Sequence, residues 1–376
     1  MRNFYINNKR VYACVYQGIE RKLKVLHTSD LHLQEASGER WEALQQIMKI
    51  CENEEVNVLV ISGDLFDKNP DAEGLRGPIQ DMFTGNGFDI LLIPGNHDKE
   101  VCAGMYFGKN GKVLSYPDNV ATYEDVRFIG LPYKDASKEE MLDTIRGLRD
   151  VLSDEKTNII IFHGELLDSF YHRENYGNEG EKRYMPVKLS YFKELPVDYV
   201  LAGHFHSNFN VFKIDNGGFF VYPGSPVPIT RRETGKRKVN IFVVGDDPIP
   251  QVLDGPFYQE LNIKLNPIDS KDPLEEIQER IKELEPNARG LFSIAIYIDS
   301  NQLGLSEEEF AEKVRDLLSV KSADVEPSLN VWDISGVLQN DLFKEFMEEL
   351  DQTGFSKEKK RRLRDVAIKA VMEAEL

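Results

Sequence analysis

Five short segments rich in histidine and aspartate constrain this chain more than any other feature of its sequence. Each follows a short run of branched apolar residues of the kind that forms a buried strand. In chain order, the segments are Asp30-Leu31-His32, Gly63-Asp64-Leu65-Phe66-Asp67, Gly95-Asn96-His97-Asp98, His163-Gly164 and Gly203-His204-Phe205-His206. Of the 7 histidines in the chain, 5 fall in these segments. Polar residues placed repeatedly at strand ends predict an α/β fold with a site at one edge of a sheet.

The residue types in these segments indicate a metal site. A single histidine is more often a hydrogen-bonded structural residue than a ligand, but five such segments in succession favour ligation by nitrogen and oxygen. In Asp30-Leu31-His32, alternation along a strand end would put both side chains on one face. The glycines that precede Asp64, Asn96 and His204 would let backbone and metal approach closely. Two ions ~3.5–4 Å apart, bridged by a carboxylate, can clamp a phosphoryl group.

The apolar pattern predicts a layered α/β sandwich over residues 23–247. We expect strands at 23–27, 56–62, 90–93, 127–130, 158–162 and 199–202, and a helix over 39–52. Residues 1–22 form an N-terminal extension to which the sequence assigns no role.

A proline-bearing break near 246–250 precedes a change of pattern. Residues 256–335 predict a small α/β domain, with one helix opened by a capping box from Ser306 to Glu309. Residues 338–376 predict helices. The first carries an apolar stripe, Leu342, Phe343, Phe346, Met347 and Leu350, which could pack on its own chain or dock on a partner.

Charge and cysteine content narrow the class of protein. The net charge of −18 is unusual for a nucleic-acid enzyme, because phosphate contacts normally call for a basic face. The 3 cysteines include no Cys-x-x-Cys pair, which indicates a reducing cytoplasm and no structural zinc site. The sequence shows no apolar run of the ~20 residues needed to span a bilayer, so no membrane association is expected.

The five segments together resemble the calcineurin-like metallophosphoesterases, whose blocks DxH, GDxxD, GNHD, H and GHxH all occur between residues 23 and 244. The resemblance implies a first ion held by Asp30, His32, Asp64 and His206, and a second held by Asp64, Asn96, His163 and His204. It also implies that His97 acts on the leaving oxygen and is oriented by Asp98. The mixed ligand set favours two Mn²⁺ ions, with Fe or Zn as alternatives.

A second resemblance is narrower. The segment Tyr222-Pro223-Gly224-Ser225-Pro226, followed by Arg231-Arg232-Glu233-Thr234-Gly235, is similar to the SbcD-type nuclease subunit of the double-strand-break repair complex SbcCD. Lys68-Asn69 stands where protein Ser/Thr phosphatases have Arg-Gly, which argues against that branch. The resemblance implies a DNA substrate, a homodimer, a capping domain, and C-terminal helices that bind an SMC-like coiled-coil ATPase. It therefore favours partner docking for the apolar stripe.

Three further features are open to more than one interpretation. Asp67 stands where archaeal and eukaryotic members of that nuclease family carry His, so it could support a neighbouring ligand, and the balance of exonuclease to endonuclease activity stays open. Arg231, Arg232, Lys236, Arg237 and Lys238 form a basic cluster that is either a phosphate contact or a solvated hairpin. Ser225 lacks a Gly-x-Ser-x-Gly elbow, so it is structural or contacts phosphate.

The sequence thus predicts a Mn²⁺-dependent DNA exonuclease, with endonuclease activity open, that works in double-strand-break repair with an ATPase partner. One alternative is a phosphodiesterase for small molecules such as cyclic nucleotides, which the acidity favours. A non-catalytic scaffold is the other alternative, and the complete set of metal-binding residues argues against it.

Overall fold

The computed structural model describes residues 4–6, 9–11, 22–102, 105–168, 184–269, 272–319, 321 and 326–374. His172 and most of the N-terminal extension lie outside these residues. The described chain divides into two compact units, one of residues 1–227 with 237–254 and one of residues 228–236 with 255–376.

The first unit contains fourteen strands and four α-helices among its described residues. Its strands are β1 (Phe4–Ile6), β2 (Lys9–Val11), β3 (Lys24–Thr28), β4 (Val58–Ser62), β5 (Asp89–Ile93), β6 (Gly111–Val113), β7 (Val120–Tyr123), β8 (Val126–Leu131), β9 (Thr157–His163), β10 (Tyr199–Gly203), β11 (Asn210–Lys213), β12 (Phe219–Tyr222), β13 (Lys238–Val243) and β14 (Ile249–Val252). Its helices are α1 (Gly38–Asn53), α2 (Asn69–Phe83), α3 (Lys99–Cys102) and α4 (Lys138–Gly147).

Two six-stranded sheets form the centre of the first unit, in the orders β14-β13-β3-β4-β5-β6 and β11-β12-β10-β9-β8-β7. Branched side chains from both sheets, such as Val60 and Ile161, share one buried cluster, so the sheets pack face to face. The outer face of the first sheet buries Leu44 and Ile79 of α1 and α2. The outer face of the second sheet buries Ile145 of α4. The predicted layered α/β sandwich is confirmed.

The second unit has a sheet of its own. Its elements are β15 (Phe257–Leu265), α5 (Pro273–Ile281), β16 (Ala288–Ile298), α6 (Ser300–Leu303), α7 (Glu307–Ser319), β17 (Ser328–Asp333), α8 (Ser335–Gln339), α9 (Asp341–Gln352) and α10 (Lys357–Ala374). The three strands pair in parallel, in the order β15-β16-β17. The capping box is present, since the Glu309 amide donates to Ser306 Oγ and the Ser306 amide donates to Glu309 Oε2.

The C-terminal helices build a small core of their own. Ile334, Val337, Phe343 and Ile368 form a buried cluster, and Leu350 is also buried. Of the two alternatives for the apolar stripe, packing on its own chain therefore holds for Phe343 and Leu350. Leu342 stays 72% exposed. Among the described helices, none is both long and apolar enough to cross a membrane.

Phe343 and Leu342 offer a matched pair of substitutions on adjacent residues of α9. Phe343 is 3% exposed, so Phe343→Ala should lower the free energy of unfolding of the second unit by about 3–5 kcal/mol. Leu342→Ala should change it by less than about 0.5 kcal/mol. Urea unfolding of both variants measures the difference. Equal losses would mean that the helical hairpin does not pack as described.

A second prediction concerns the buried His27 of β3, which shares a 2.9 Å hydrogen bond with Ser62 Oγ. Burial lowers the pKa of His27 to about 3 from 6.5, although a backbone hydrogen bond at Ala202 opposes the shift. Below pH 6.5, therefore, His27 is protonated in the unfolded chain but stays neutral in the folded protein. As the pH is lowered from 6.5 towards 3, His27 should decrease the free energy of unfolding by up to about 1.36 kcal/mol per pH unit.

Urea unfolding between pH 4.5 and 7, compared between the wild-type protein and His27→Gln, measures this contribution. The variant should show a shallower dependence on pH than the wild type. Parallel curves would show that His27 is not kept neutral by burial.

Candidate metal centre

The polar segments follow β3, β4, β5, β9 and β10, whose carboxyl ends lie at one edge of the sandwich. Backbone strain is concentrated there. Four residues adopt φ values in the left-handed region that residues other than glycine rarely occupy: Asp30 (55°), His32 (47°), Asp64 (52°) and His204 (101°). β3 ends at Thr28, so alternation along an extended strand does not bring Asp30 and His32 together. A left-handed loop does so instead, which corrects the physical reason offered by the sequence.

The first group of side chains comprises Asp30, His32 and His206, whose potential ligand atoms lie within 4.8 Å of one another. The Nε2 atoms of His32 and His206 are 3.2 Å apart, and His206 Nε2 lies 3.8 Å from Asp30 Oδ1. Both Asp30 oxygens accept the His204 backbone N–H at 3.0 Å, and Ser29 Oγ donates to Asp30 Oδ2 at 2.6 Å. Two imidazole nitrogens and a carboxylate converging on one point suit a divalent cation.

The second group comprises Asp30, Asp64 and His163, again within 4.8 Å. His163 Nδ1 lies 2.7 Å from the Ser62 carbonyl oxygen, which can only accept, so Nδ1 carries a hydrogen. His163 Nε2 then faces inward, 3.2 Å from Asp64 Oδ2 and 2.9 Å from Asn96 Oδ1. A histidine whose outer nitrogen donates to a carbonyl is oriented as metal-binding histidines usually are.

Asp64 belongs to the second group and also reaches a histidine of the first, whereas Asp30 belongs to both. Its Oδ1 accepts the His97 amide at 3.0 Å, while its Oδ2 faces His163 and, at 3.8 Å, His32 Nε2. Burial opposes ionisation, but His163 first and then His32 hold the pKa of Asp64 well below its usual range. Conversely, burial would lower the pKa of His163, yet Asp64 raises it to about 10.

His204 occupies a different position from the other candidate ligands. Its ring centroid lies 5.5 Å from that of His163 and 4.9 Å from that of Tyr184. Among the described residues it belongs to none of the three groups of close ligand atoms, of which the third is His32, Asp67 and His97, although its amide donates to Asp30. The structure therefore links six of the seven predicted metal-binding residues through short contacts and places the His204 ring beside that of His163.

His97 and Asp98 are fixed by backbone contacts. His97 Nδ1 lies 3.0 Å from the Asp67 carbonyl oxygen, so Nδ1 carries a hydrogen, and the ring meets that of His32 edge to face at 4.8 Å. The buried Asp98 accepts the Gly95 and Phe66 amides at 2.8 and 3.2 Å. Asp98 therefore shapes the loop that carries His97.

The sequence around this site matches a known protein family. Residues 23–208 match the sequence profile described as calcineurin-like phosphoesterase. This chain contains a calcineurin-like phosphoesterase domain. The match covers β3 to β10 and all five polar segments, so the phosphoesterase domain is a metal-dependent enzyme that hydrolyses phosphate esters.

Curated relatives of the phosphoesterase are distant. The SbcD component of nuclease SbcCD from Staphylococcus epidermidis is 22% identical over 70% of this chain and 77% of that protein. The DNA double-strand break repair protein Mre11 of Sulfurisphaera tokodaii is 23% identical over 69% of this chain and 70% of that protein. Mre11 of Methanopyrus kandleri is 29% identical over 55% of this chain and 49% of that protein.

The glycines of the phosphoesterase segments are required by close packing. A Cβ atom on Gly63 would lie 2.2 Å from His163 Nδ1, and Gly63 has a φ of +92°. A Cβ on Gly95 would lie 2.1 Å from Asp64 Oδ1. These distances are far below van der Waals contact, so any larger residue would displace the side chains of the candidate ligands.

Sequence reasoning identified Asp67 as a residue that could support the site but missed two others, Arg40 and Ser62. Asp67 was recognised as a possible support, and its carboxylate accepts Gln34 Nε2 at 2.9 Å and lies 3.4 Å from His32 Nδ1. Arg40 of α1 donates to the His32 carbonyl and lies 3.6 Å from Asp67. Nothing in the pattern around Arg40 distinguished it from an ordinary helical surface residue. Ser62, the last residue of β4, acts through its carbonyl, which no side-chain motif reveals.

Asp64→Asn tests the central position of Asp64, since the amide keeps the size of the side chain but removes its charge. We expect calorimetry to show two Mn²⁺ ions bound by the wild type and a loss of binding at both positions in the variant, because Asp64 belongs to the second group and lies 3.8 Å from His32 of the first.

Asp198→Asn is a suitable control for Asp64→Asn. Asp198 accepts the Asn158 amide at the start of β9, at the strand end opposite His163, so its loss should leave both ions bound. Two tightly bound ions in Asp64→Asn would contradict the bridging assignment.

Proposed function

We propose that this phosphoesterase is a Mn²⁺-dependent DNA nuclease that hydrolyses phosphodiester bonds during double-strand-break repair. The observation that carries the proposal is a pair of histidine and aspartate groups that share Asp30 and are also linked by Asp64, in a chain whose curated relatives are named as an SbcCD nuclease subunit and Mre11 double-strand break repair proteins. Both exonuclease and endonuclease activities fit this chemistry.

The proposed ligand sets follow the two groups. Asp30, His32, Asp64 and His206 would hold one cation, and Asp64, Asn96, His163 and His204 would hold the other. Two bound divalent cations lower the pKa of a water nucleophile and neutralise charge on the phosphate. Mixed imidazole, amide and carboxylate ligands suit Mn²⁺, with Fe or Zn as alternatives.

The proposed role of His97 rests on its tautomer. Since Nδ1–H is directed at the Asp67 carbonyl, the proposal assigns proton exchange with the leaving oxygen to Nε2. The His97 amide binds Asp64, so the same loop couples the position of this nitrogen to that of the bridging carboxylate. Asp98 contributes by holding the backbone of that loop.

Aromatic and basic side chains beside the phosphoesterase site support a nucleotide substrate. The Tyr184 ring stacks obliquely near His204, and Tyr133 lies 5.9 Å from Tyr184. Lys99 Nζ lies 5.9 Å from the Tyr133 ring. Aromatic rings that can stack on bases, next to a cation that can meet a phosphate, are typical of single-stranded nucleic-acid contacts.

The strongest argument for a different substrate is the net charge of −18. It favours a second candidate function, hydrolysis of a small phosphodiester such as a cyclic nucleotide, which needs no extended basic surface. The aromatic pair fits a single nucleotide as well as a strand of DNA.

The remaining assignments belong to the same proposal. An SMC-like coiled-coil ATPase is the proposed partner, with the C-terminal helices of 338–376 as its binding segment and Leu342, Phe355 and Val366 among the exposed apolar side chains of that segment. We also propose a homodimer, a cytoplasmic location, and functional boundaries at 23–247 for catalysis and 256–335 for capping.

Incubation with linear duplex DNA and, separately, with a cyclic nucleotide distinguishes the two candidate functions. With Mn²⁺ we expect DNA fragments and little cyclic-nucleotide hydrolysis, and EDTA should abolish the activity because the site then lacks its cations. Rapid hydrolysis of the cyclic nucleotide with intact DNA would favour the second candidate.

His97→Gln tests the general-acid role. The variant should keep both Mn²⁺ ions by calorimetry, while kcat falls by about 10²–10⁴-fold, the usual contribution of a positioned acid. Loss of an ion would instead identify His97 as a ligand, and an unchanged kcat would remove it from the mechanism.

A further inference from the structure

The loop that carries His206 is irregular. Residues 204–209 follow β10 and precede β11 without entering either strand, so the regular hydrogen-bond ladder of the sheet does not fix this backbone. Buried carbonyls must find donors elsewhere, because an unpaired one costs free energy comparable to a lost hydrogen bond.

Arg237 supplies those donors. Its guanidinium donates from Nε to the Ser225 carbonyl at 2.9 Å, from Nη1 to the Ser207 carbonyl at 2.9 Å, and from Nη2 to the His206 carbonyl. Arg237 is only 4% exposed, so it is not one of the phosphate contacts considered for the basic cluster. A rigid planar fork can satisfy several carbonyls at fixed angles, which a lysine could not do as well.

The Pro-Gly-Ser-Pro motif completes the enclosure of the His206 carbonyl. The Ser225 amide donates to that carbonyl at 3.1 Å, and the buried Ser225 hydroxyl donates to the Val227 carbonyl at 2.6 Å. Ser225 is therefore structural and does not contact phosphate. Gly224 has a φ of +76°, and a Cβ there would lie 3.1 Å from the His206 oxygen and 3.2 Å from Arg237 Nη2. Only glycine fits this position without displacing its neighbours.

We propose that Arg237, seated by Gly224 and Ser225, is a positioning residue that sets the place of the His206 ring for cation binding. The inference rests on the proposed assignment of His206 as a ligand. The Nε2 atom of His206 must keep its position relative to His32 Nε2 and the Asp30 carboxylate to within about 0.2 Å, the tolerance of a metal site, in a loop that belongs to no strand. Three guanidinium hydrogen bonds to carbonyls of this loop and of the neighbouring Ser225 supply that restraint.

Calorimetric titration with Mn²⁺ tests the proposal without any measurement of activity. Arg237→Gln should weaken binding at the position that contains His206 by about 10- to 100-fold, the usual effect of removing a residue that supports a metal ligand. Affinity equal to that of the wild type would overturn the proposal.

Asn158 provides a control for general loss of stability. It is also buried, and its side-chain amide donates to the carbonyls of Ser153, Lys156 and Pro196, at the end of β9 opposite His163. Asn158→Ala should lower the melting temperature and leave Mn²⁺ affinity unchanged. If it weakened binding as much as Arg237→Gln, the role of Arg237 would be merely structural and the proposal would fail.

A double-mutant cycle with His206→Ala separates this inference from the ligand assignment. His206→Ala alone should lose the cation, and unchanged binding would defeat the assignment of His206. With Cd²⁺ or Mn²⁺ at concentrations that still report residual binding, adding Arg237→Gln to His206→Ala should cause no further loss, because Arg237 acts through His206. Additive losses would overturn the proposal.

Gly224→Ala serves if Arg237→Gln does not fold. It leaves the guanidinium in place but crowds the same carbonyl, so it should also weaken Mn²⁺ binding only when His206 is present. Wild-type affinity in this folded variant would contradict the proposal.

Discussion

A carboxylate buried at the meeting point of the two sheets governs the site. Asp64 is 1% exposed, and an ionised group in such a position is costly unless opposite charge and hydrogen bonds offset the loss of water. One oxygen is held by the His97 amide, and the other faces His163 and His32. The residues around Asp64 are placed so that these contacts with the carboxylate can form. Gly95 leaves space beside the carboxylate, and Ser62 turns His163 so that its inner nitrogen points towards Asp64.

The sandwich maintains the strained backbone that this arrangement demands. Left-handed φ values at residues other than glycine cost on the order of 1–3 kcal/mol each and persist only where the surroundings impose them. Here the strands that enter the strained loops are buried along nearly their whole length. All residues of β4 are buried, as are the residues of β9 from Asn158 to His163. A rigid core thus allows the loops at its edge to hold polar groups in positions they would not adopt alone.

Local patterns predicted the parallel strands and the candidate ligands, whereas contacts over long sequence distances could not be predicted in the same way. Buried parallel strands are continuous apolar runs, and β4, β5, β8, β9 and β10 lie within two residues of their predicted bounds. β12 and β13 were missed, because they flank the Pro-Gly-Ser-Pro and basic segments that suggested other roles. Arg237 is separated from His206 by 31 positions and contacts carbonyl groups that every residue carries, so no residue type identifies its target. For Phe343 and Leu350, an amphipathic helix displays which face is apolar, but the surface that covers it depends on tertiary packing.

The location of the acidic residues bears on how the net charge of −18 should be understood. The carboxylates of the site are buried and paired, and bound cations would neutralise them further. Many of the exposed acidic side chains belong instead to helices of the second unit, such as Glu307 and Glu308 of α7 and Glu348 of α9. Solvent-exposed charges act over only about 8–10 Å at physiological salt. We therefore expect side chains beside the site, such as Tyr184, whose ring centroid lies 4.9 Å from that of His204, to select the substrate more than the total charge of the chain does.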